Sequence, residues 1–269
     1  MITIENFYSP SFEDFDINLV QKEVDGGAIS TEAIDSIKQY PHASSIVVSG
    51  LKQDTFEYFI KEYADQFEAI SFWKNKTVNN LSILSQLKNV KFISYFFNQK
   101  ASGLWDMSQN ENLKGLSITD FSKLHSIEEV TTAKNLEFFR VGDAVDSKMV
   151  IESLRPIVRT NISHLVWSGK KVEDYDYKCL AKGNLKVLDI SPVRFTVDEL
   201  TDILALFPES IEGWITKPYV TGGIKDQDGY HEYHMLCKGK KKCIAGVDDE
   251  RFQKYLEDFS KMLAKKRNR

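Results

Sequence analysis

The chain has 269 residues, of which 42% are hydrophobic, enough to bury a substantial core. Its formal net charge of -4 at pH 7 argues against a general nucleic-acid-binding protein, which usually carries a basic surplus. No apolar run approaches the roughly 18 residues of a membrane-spanning helix, the start lacks a secretory leader pattern, and 3 cysteines are an odd number for a disulfide framework. These features predict a cytoplasmic globular protein that contacts neither nucleic acid nor a membrane.

Residues 1–42 do not share the regular spacing of the residues that follow, which is typical of a terminal cap on a repeat array. Phe12, Phe15 and Ile17 are apolar at a spacing that predicts a first short strand. Residues 30–40 predict a helix that ends before Pro41.

The central part of the chain repeats one pattern eight times. An apolar residue opens each repeat, and apolar residues follow three and five places later, a spacing that puts the last two on one face of a strand. The eight sets, whose openings are almost evenly spaced, are Ala43/Ile46/Val48, Phe67/Ile70/Phe72, Val90/Ile93/Tyr95, Leu113/Leu116/Ile118, Leu136/Phe139/Val141, Ile162/Leu165/Trp167, Leu185/Leu188/Ile190 and, less well, Ile211/Trp214/Thr216. One repeat cannot bury its apolar face alone, so the pattern predicts stacked parallel strands.

The segments between these strands are mixed. Residues 55–66, 77–87, 147–158 and 196–207 have apolar residues at helical spacing and predict helices. The last of them opens with Thr196 and Glu199, the pair of a capping box.

The L-x-x-L-x-L spacing resembles the leucine-rich repeat family over most of the chain, and the period lies within the family's range of about 20 to 29 residues. The asparagine that the family places eight positions after the opening occurs only as Asn75 and Asn98, so the resemblance is to an irregular, bacterial-type member. It implies an α/β fold: a right-handed leucine-rich repeat solenoid, or horseshoe, with a parallel concave sheet and a mixed helical and irregular convex side. We expect residues 43–216 to form about eight repeats.

Residues 217–269 are predicted to close the other end of the solenoid. Residues 230–247 are typical of a hairpin that turns at Lys238 and Gly239. Residues 248–269 are amphipathic, with acidic residues first and basic residues last, as the helix dipole favours.

The hairpin holds four possible metal ligands, His231, His234, Cys237 and Cys243. In a strand, His234 points away from His231 and Cys237, so this spacing is poor for zinc. We therefore expect packing instead of a metal, no cofactor and no catalytic residue, and keep a metal-binding or enzymatic site here as the alternative. Basic clusters at 240–242 and 265–269 are expected to be solvated.

The side chains between the buried strand positions should line the concave face. In the middle repeats these side chains are aromatic or basic, a composition typical of the centres of protein interfaces. The candidate partner-binding residues are Trp73, Phe92, Phe96, Phe138, Arg140 and His164. We predict a monomeric, non-catalytic module, an adaptor or immunity-type protein, that binds a protein or peptide there. A face covered by the chain itself is the competing interpretation.

Overall fold

The computed structural model describes residues 2–22, 27–226 and 229–268. The chain divides into two compact units, Met1–Asn184 and Leu185–Arg269. Within the described ranges, no helix is both long enough and apolar enough to span a membrane.

The first unit is built on a parallel sheet whose strand order follows the chain. Its strands are β1 (Ile17–Leu19), β2 (Ser45–Ser49), β3 (Ala69–Trp73), β4 (Phe92–Asn98), β5 (Gly115–Phe121), β6 (Phe138–Gly142) and β8 (His164–Trp167). A separate parallel pair joins β7 (Val150–Ile151) to β9 (Lys171–Val172). The repeats therefore form parallel strands as predicted, in an arrangement consistent with a leucine-rich-repeat-like solenoid.

One row of side chains runs through the core across the sheet. The parallel register places Ile70 beside Ile93, Ile93 beside Leu116 and Leu116 beside Phe139. Each of these side chains is at most 1% exposed. This confirms the predicted inward positions and rules out a one-residue slip, which would turn the row to the other face.

The turn after the strand repeats as well as the strand itself. Gly50 and Lys74 follow β2 and β3 directly, Phe97 and Asp120 are the second-last residues of β4 and β5, and all four have positive φ, between 52° and 74°. Three of the four are not glycine, although this region is unfavourable for a side chain. The same backbone bend therefore recurs at the ends of four successive strands without requiring glycine.

The returning segments of the first unit are mostly short. Two are α-helical, α1 (Thr31–Asp35) and α2 (Gln53–Glu62), and the second confirms the helix predicted at 55–66. Single 3₁₀ turns occur at Ala64–Gln66, Ser82–Gln86, Glu128–Thr132, Arg155–Arg159 and Tyr177–Lys182.

Two predicted helices are wrong. At 77–87 only Ser82–Gln86 is helical, because Gln53 of the preceding repeat accepts hydrogen bonds from the N–H groups of Asn79 and Asn80, and Asn80 accepts one from the N–H of Ser82. At 147–158 the chain forms β7 and then the 3₁₀ turn Arg155–Arg159. Pro156 disfavours helical backbone at the residue before it.

The second unit begins with strand β10 (Val187–Ile190), which confirms the seventh repeat strand, and continues with helix α3 (Val197–Leu204). An antiparallel sheet follows, of β11 (Tyr219–Asp226), β12 (Gly229–Leu236) and β13 (Cys243–Ile244), and then helix α4 (Asp249–Arg267). The predicted hairpin is confirmed by the pairing of β12 with β13. Strand β11 was not predicted.

The predicted first strand is present as β1, but it begins only at Ile17, and Phe12 lies in the 3₁₀ turn Phe12–Asp14 before it. The predicted strand of the eighth repeat is wrong. In the eighth repeat, Trp214 begins a second 3₁₀ turn and is 63% exposed. There the Asp189 carboxylate accepts a hydrogen bond from the Trp214 backbone N–H, which turns this segment away from strand geometry.

Candidate partner-binding face

The sheet of the first unit has a second face, opposite to the core. Strand alternation places three rows of side chains on it. The register aligns Phe92 with Gly115, Phe138 and His164 in one row, Ser71 with Ser94, Ser117, Arg140 and Val166 in the next, and Trp73 with Phe96, Thr119 and Gly142 in the third. We call this surface the aromatic face.

The six residues singled out in the sequence all lie on the aromatic face. The rings of Trp73 and Phe96 are 4.5 Å apart between centroids, and those of Phe138 and His164 are 4.4 Å apart. Phe92 lies across Gly115 from Phe138, as the register requires. Trp73, Phe92, Phe96, Arg140 and His164 are half-buried and Phe138 is buried.

The N-terminal segment, which we define as residues 6–12, covers the centre of the aromatic face. The Phe7 ring stacks on Phe92 at 5.3 Å and meets Phe138 edge-on at 5.2 Å. A Cβ atom at Gly115 would lie 2.6 Å from the Phe7 ring, so only glycine leaves room for it. Phe7 is 2% exposed and is therefore held as tightly as a core residue.

Further contacts hold the rest of the N-terminal segment. Tyr8 stacks on Phe138 at 4.9 Å, and Phe12 meets Trp73 edge-on at 5.0 Å. The Arg140 guanidinium lies 5.5 Å from the Tyr8 ring and donates a long hydrogen bond of 3.4 Å to the Tyr8 carbonyl. The segment thus contacts β3, β4 and β6 and packs over Gly115 of β5.

Arg140 is the cation of the aromatic face, and it is poorly paired. Burial lowers the pKa of its guanidinium, while Tyr8 and, less strongly, Asp120 act in the opposite direction. Its Nε atom is buried and has no hydrogen-bond partner. The guanidinium therefore keeps hydrogen-bonding capacity that the described residues do not use.

A cavity of about 280 Å³ remains between the N-terminal segment and the sheet. Its lining includes Ser9 and Pro10 from the segment, Ser71 and Ser94 from the sheet, and Arg140. The face is therefore closed over Phe7 but hollow between Phe7 and Phe12.

The chain itself covers the centre of the aromatic face, as the competing interpretation expected, but residues 6–12 were not predicted to be the cover. Phe7 and Phe138 stand far apart in the chain, and no period relates them. A local signal was present, because three aromatic residues, Phe7, Tyr8 and Phe12, stand close together outside the repeats. Such a cluster must find apolar cover somewhere.

The hairpin candidates are arranged for packing. Cys237 and Cys243 are buried, and desolvation raises the pKa of both thiols. His234 pairs with Cys243 across the strands and stacks on Phe252 at 4.2 Å. Among the described residues, no group of three or more His, Cys, Asp or Glu side chains could hold a metal.

The basic clusters lie in the second unit. Lys266 contacts Asp198 at 2.7 Å and Asp202 at 2.6 Å, and Arg267 contacts Glu209 at 3.4 Å. Two cations of the predicted solvated tail are therefore paired with acids, while Arg269 lies outside the described residues.

No protein-family model matches the chain, and a search of curated proteins found no match. Among solved structures, the chain is similar to a leucine-rich repeat protein of Leptospira interrogans, with 14% sequence identity and a TM-score of 0.47. The match covers 76% of this chain and 49% of that chain, so it spans about half of the length of that protein.

Proposed function

We propose that this chain is a non-catalytic, leucine-rich-repeat-like module that binds a protein or peptide partner on its aromatic face. The observation that carries the proposal is the packing of the N-terminal segment. The aromatic face holds a short stretch of polypeptide through the side chains of Phe7, Tyr8 and Phe12.

The chemistry of the aromatic face supports this function. Aromatic residues and arginine are enriched at the centres of protein interfaces, where they contribute most of the binding energy. Phe92, Gly115 and Phe138 form a socket that accepts one aromatic ring, and Trp73 provides a second contact for another. A partner that offers two aromatic side chains with the spacing of Phe7 and Phe12 matches both positions.

Such a partner must displace the N-terminal segment. A tethered segment competes at an effective concentration on the order of millimolar. The intact chain should therefore bind a partner more weakly than a chain whose segment is loosened. This difference makes the proposal testable before a natural partner is known.

The test uses the full chain with Phe7→Ala and Phe12→Ala, which removes the two anchoring rings but keeps every residue of the sheet. A synthetic peptide of residues 3–14 should bind this variant saturably, with a 1:1 stoichiometry by titration calorimetry. The unaltered chain should bind the same peptide at least about tenfold more weakly, because its own segment competes.

Two further variants locate the binding surface. Adding Phe92→Ala and Phe138→Ala to the loosened chain should weaken peptide binding at least about tenfold. Adding Trp214→Ala, an exposed aromatic of the second unit, should leave binding unchanged. Equal binding by all variants, or none by the loosened chain while its circular dichroism stays native, would reject the aromatic face as the site.

A further inference from the structure

The cavity on the aromatic face is lined by polar groups that lack partners. Ser71, Ser94 and Thr119 line it from the sheet side, and within the described residues their hydroxyls make no hydrogen bond. Each of these residues is at most 9% exposed. None of these three hydroxyl oxygens is among the buried unpaired side-chain atoms of the described residues, so all three are accessible from the hollow and can donate hydrogen bonds to the acceptor atoms of a ligand.

The charge of the cavity also favours a ligand with acceptor atoms, and specifically an anion. Arg140 lines it, and no carboxylate of the described residues lies within 4.0 Å of its guanidinium nitrogens. Asp120, the acid nearby, is already used, because its carboxylate accepts hydrogen bonds from the backbone N–H groups of Ala144, Val145 and Asp146. The Tyr8 ring and carbonyl that contact Arg140 are neutral, so an anion in the cavity would stabilise this half-buried cation further.

The remaining lining is apolar. Trp73 and Phe96 stand on the sheet side, and Tyr8 and Phe12 stand on the side of the N-terminal segment. At about 280 Å³ the cavity is just below the range of roughly 300 to 1,000 Å³ that is typical of ligand pockets. Its ligand must therefore be small, with an apolar body and one charged end.

We propose that this cavity binds a monoanionic carboxylate on an aromatic or aliphatic stem, with the carboxylate at Arg140 and the serine hydroxyls and the stem between the rings. The planar guanidinium matches a carboxylate in shape and charge. A single cation among hydroxyls favours a monoanion over a phosphate dianion. The carboxylate can belong to a free organic acid or to the end of a polypeptide.

This site goes beyond the proposed function and is independent of it. The cavity exists only while the N-terminal segment is in place, since Ser9, Pro10 and Phe12 line one side of it. Partner binding requires the same segment to leave. Carboxylate binding by the intact chain and peptide binding by the loosened chain can therefore succeed or fail separately.

The experiment titrates the intact chain with 3-phenylpropionate, 3-phenylpropanamide and inorganic phosphate, followed by calorimetry and tryptophan fluorescence. We expect 1:1 binding of the acid, with the neutral amide and phosphate at least about tenfold weaker, because hydrogen bonds to charged groups are the stronger ones. Equal binding of the acid and the amide would overturn the proposal. Failure of both carboxylates to bind, 3-phenylpropionate here and the tripeptide acid in the second arm below, would also overturn it.

Three variants test the residues. Arg140→Gln keeps most of the side-chain stem and should weaken acid binding at least about tenfold. Ser94→Leu fills the hollow without changing charge and should abolish binding, which separates the cavity from a general charge effect. Arg159→Gln, an exposed arginine paired with Glu128, is the matched control and should bind as the unaltered chain does. Unchanged affinity in Arg140→Gln would overturn the assignment.

A second arm distinguishes the two sources of the carboxylate. The tripeptide acetyl-Ala-Ala-Phe with a free C-terminus is compared with its C-terminal amide. Binding of 3-phenylpropionate alone supports a free acid as the ligand, and additional acid-dependent binding of the tripeptide supports a polypeptide end.

Discussion

Two buried asparagines connect consecutive repeats through their side chains. The Asn75 amide donates to the Val48 carbonyl at 3.0 Å, and its oxygen accepts from the Leu51 N–H at 2.8 Å. The Asn98 amide donates to the carbonyls of Asn75 and Val78, at 3.0 Å and 2.8 Å. Each side chain satisfies backbone groups that the sheet does not pair.

Replacing Asn98 by alanine should therefore be costly. The change leaves the carbonyl of Val78 and the N–H groups of Lys100 and Ala101 without their present partner. We expect a loss of about 3 kcal/mol in the free energy of unfolding, measured by urea denaturation. Asn112→Ala, which removes one exposed hydrogen bond to Lys88, should change it by less than about 1 kcal/mol. Equal losses in the two variants would contradict this role of Asn98.

The repeat pattern of the sequence marks the positions of Asn75 and Asn98, but it does not show which residue takes their role in the later repeats. Both stand at the position that the repeat pattern marks, which later repeats fill with Phe121 and Ala144. In the structure Asp120, directly before Phe121, accepts the backbone hydrogen bonds of the following turn. A period identifies a position, but it cannot show that a neighbouring residue has taken over the role.

A single methyl group at Gly115 tests how the N-terminal segment is seated. Because the new Cβ would lie 2.6 Å from the Phe7 ring, Gly115→Ala should push that ring off the sheet. We expect faster chymotryptic cleavage after Phe7, Tyr8 and Phe12, followed by mass spectrometry. Gly103→Ala meets only a Glu129 carboxylate oxygen at 3.0 Å and should keep the original cleavage rate. Unaltered cleavage in Gly115→Ala would show that the segment is not anchored through Phe7.

At the scale of elements, prediction succeeds where a contact is local or periodic. Helix α2 is recognisable because Phe56, Phe59 and Ile60 lie on one helix face within little more than one turn. The segment 77–87 has a similar pattern but is shaped by Gln53, which belongs to the preceding repeat. Nothing in the segment itself reports that hydrogen bond, so its helix could not be excluded in advance.

Asp16 connects the end of the N-terminal region to β2. Its carboxylate accepts hydrogen bonds from the backbone N–H of Ser44 at 2.7 Å and of Ser45 at 3.0 Å, and from both hydroxyls. Slight desolvation opposes ionisation, but the hydrogen bonds to Ser44 and Ser45 outweigh it, and the pKa of Asp16 is lowered.

A lowered pKa means that the folded state favours the charged form of Asp16. Its stabilising contribution is present above the unfolded pKa of about 3.9 and is lost as the pH falls through the lower folded pKa. We expect thermal stability to fall in this acidic window, and to fall less steeply in Asp16→Asn than in the unaltered chain. Glu5→Gln, an exposed acid of the same region, should leave the pH profile as it is. A profile unaffected by Asp16→Asn would contradict the role of this carboxylate.

Helix α3 starts with a reciprocal cap that can be removed by one substitution. The Thr196 hydroxyl accepts from the Glu199 N–H at 3.3 Å, and the Glu199 carboxylate accepts from the Thr196 N–H at 2.8 Å. Thr196→Ala should reduce the free energy of unfolding by about 1 kcal/mol, measured by urea denaturation. Thr196→Ser retains the hydroxyl and should stay within a few tenths of the original value. If serine and alanine were equivalent, the cap would not contribute.

Across the whole chain, the nearly constant repeat period is the feature that sequence predicts best. It is predictable because every repeat must bury the same two positions against its neighbours, which keeps the spacing even where the returns differ. The covering of the aromatic face follows no period. It depends on a contact between Phe7 and Phe138 that only the assembled sheet creates.

The same stacking makes a prediction about how the first unit loosens. Leu116 lies in the middle of the buried row, between Ile93 and Phe139, and Leu116→Ala should lower the free energy of unfolding by about 2–5 kcal/mol. Since each repeat contacts mainly its neighbours, amide hydrogen exchange should accelerate most in β4, β5 and β6 and least in β1 and β2. Leu206→Ala, at a site 54% exposed, should change the free energy of unfolding by no more than about 0.5 kcal/mol. It should leave the exchange rates of the sheet amides as they are in the unaltered chain. A uniform acceleration from β1 to β8 would instead mean that this sheet opens as one cooperative block.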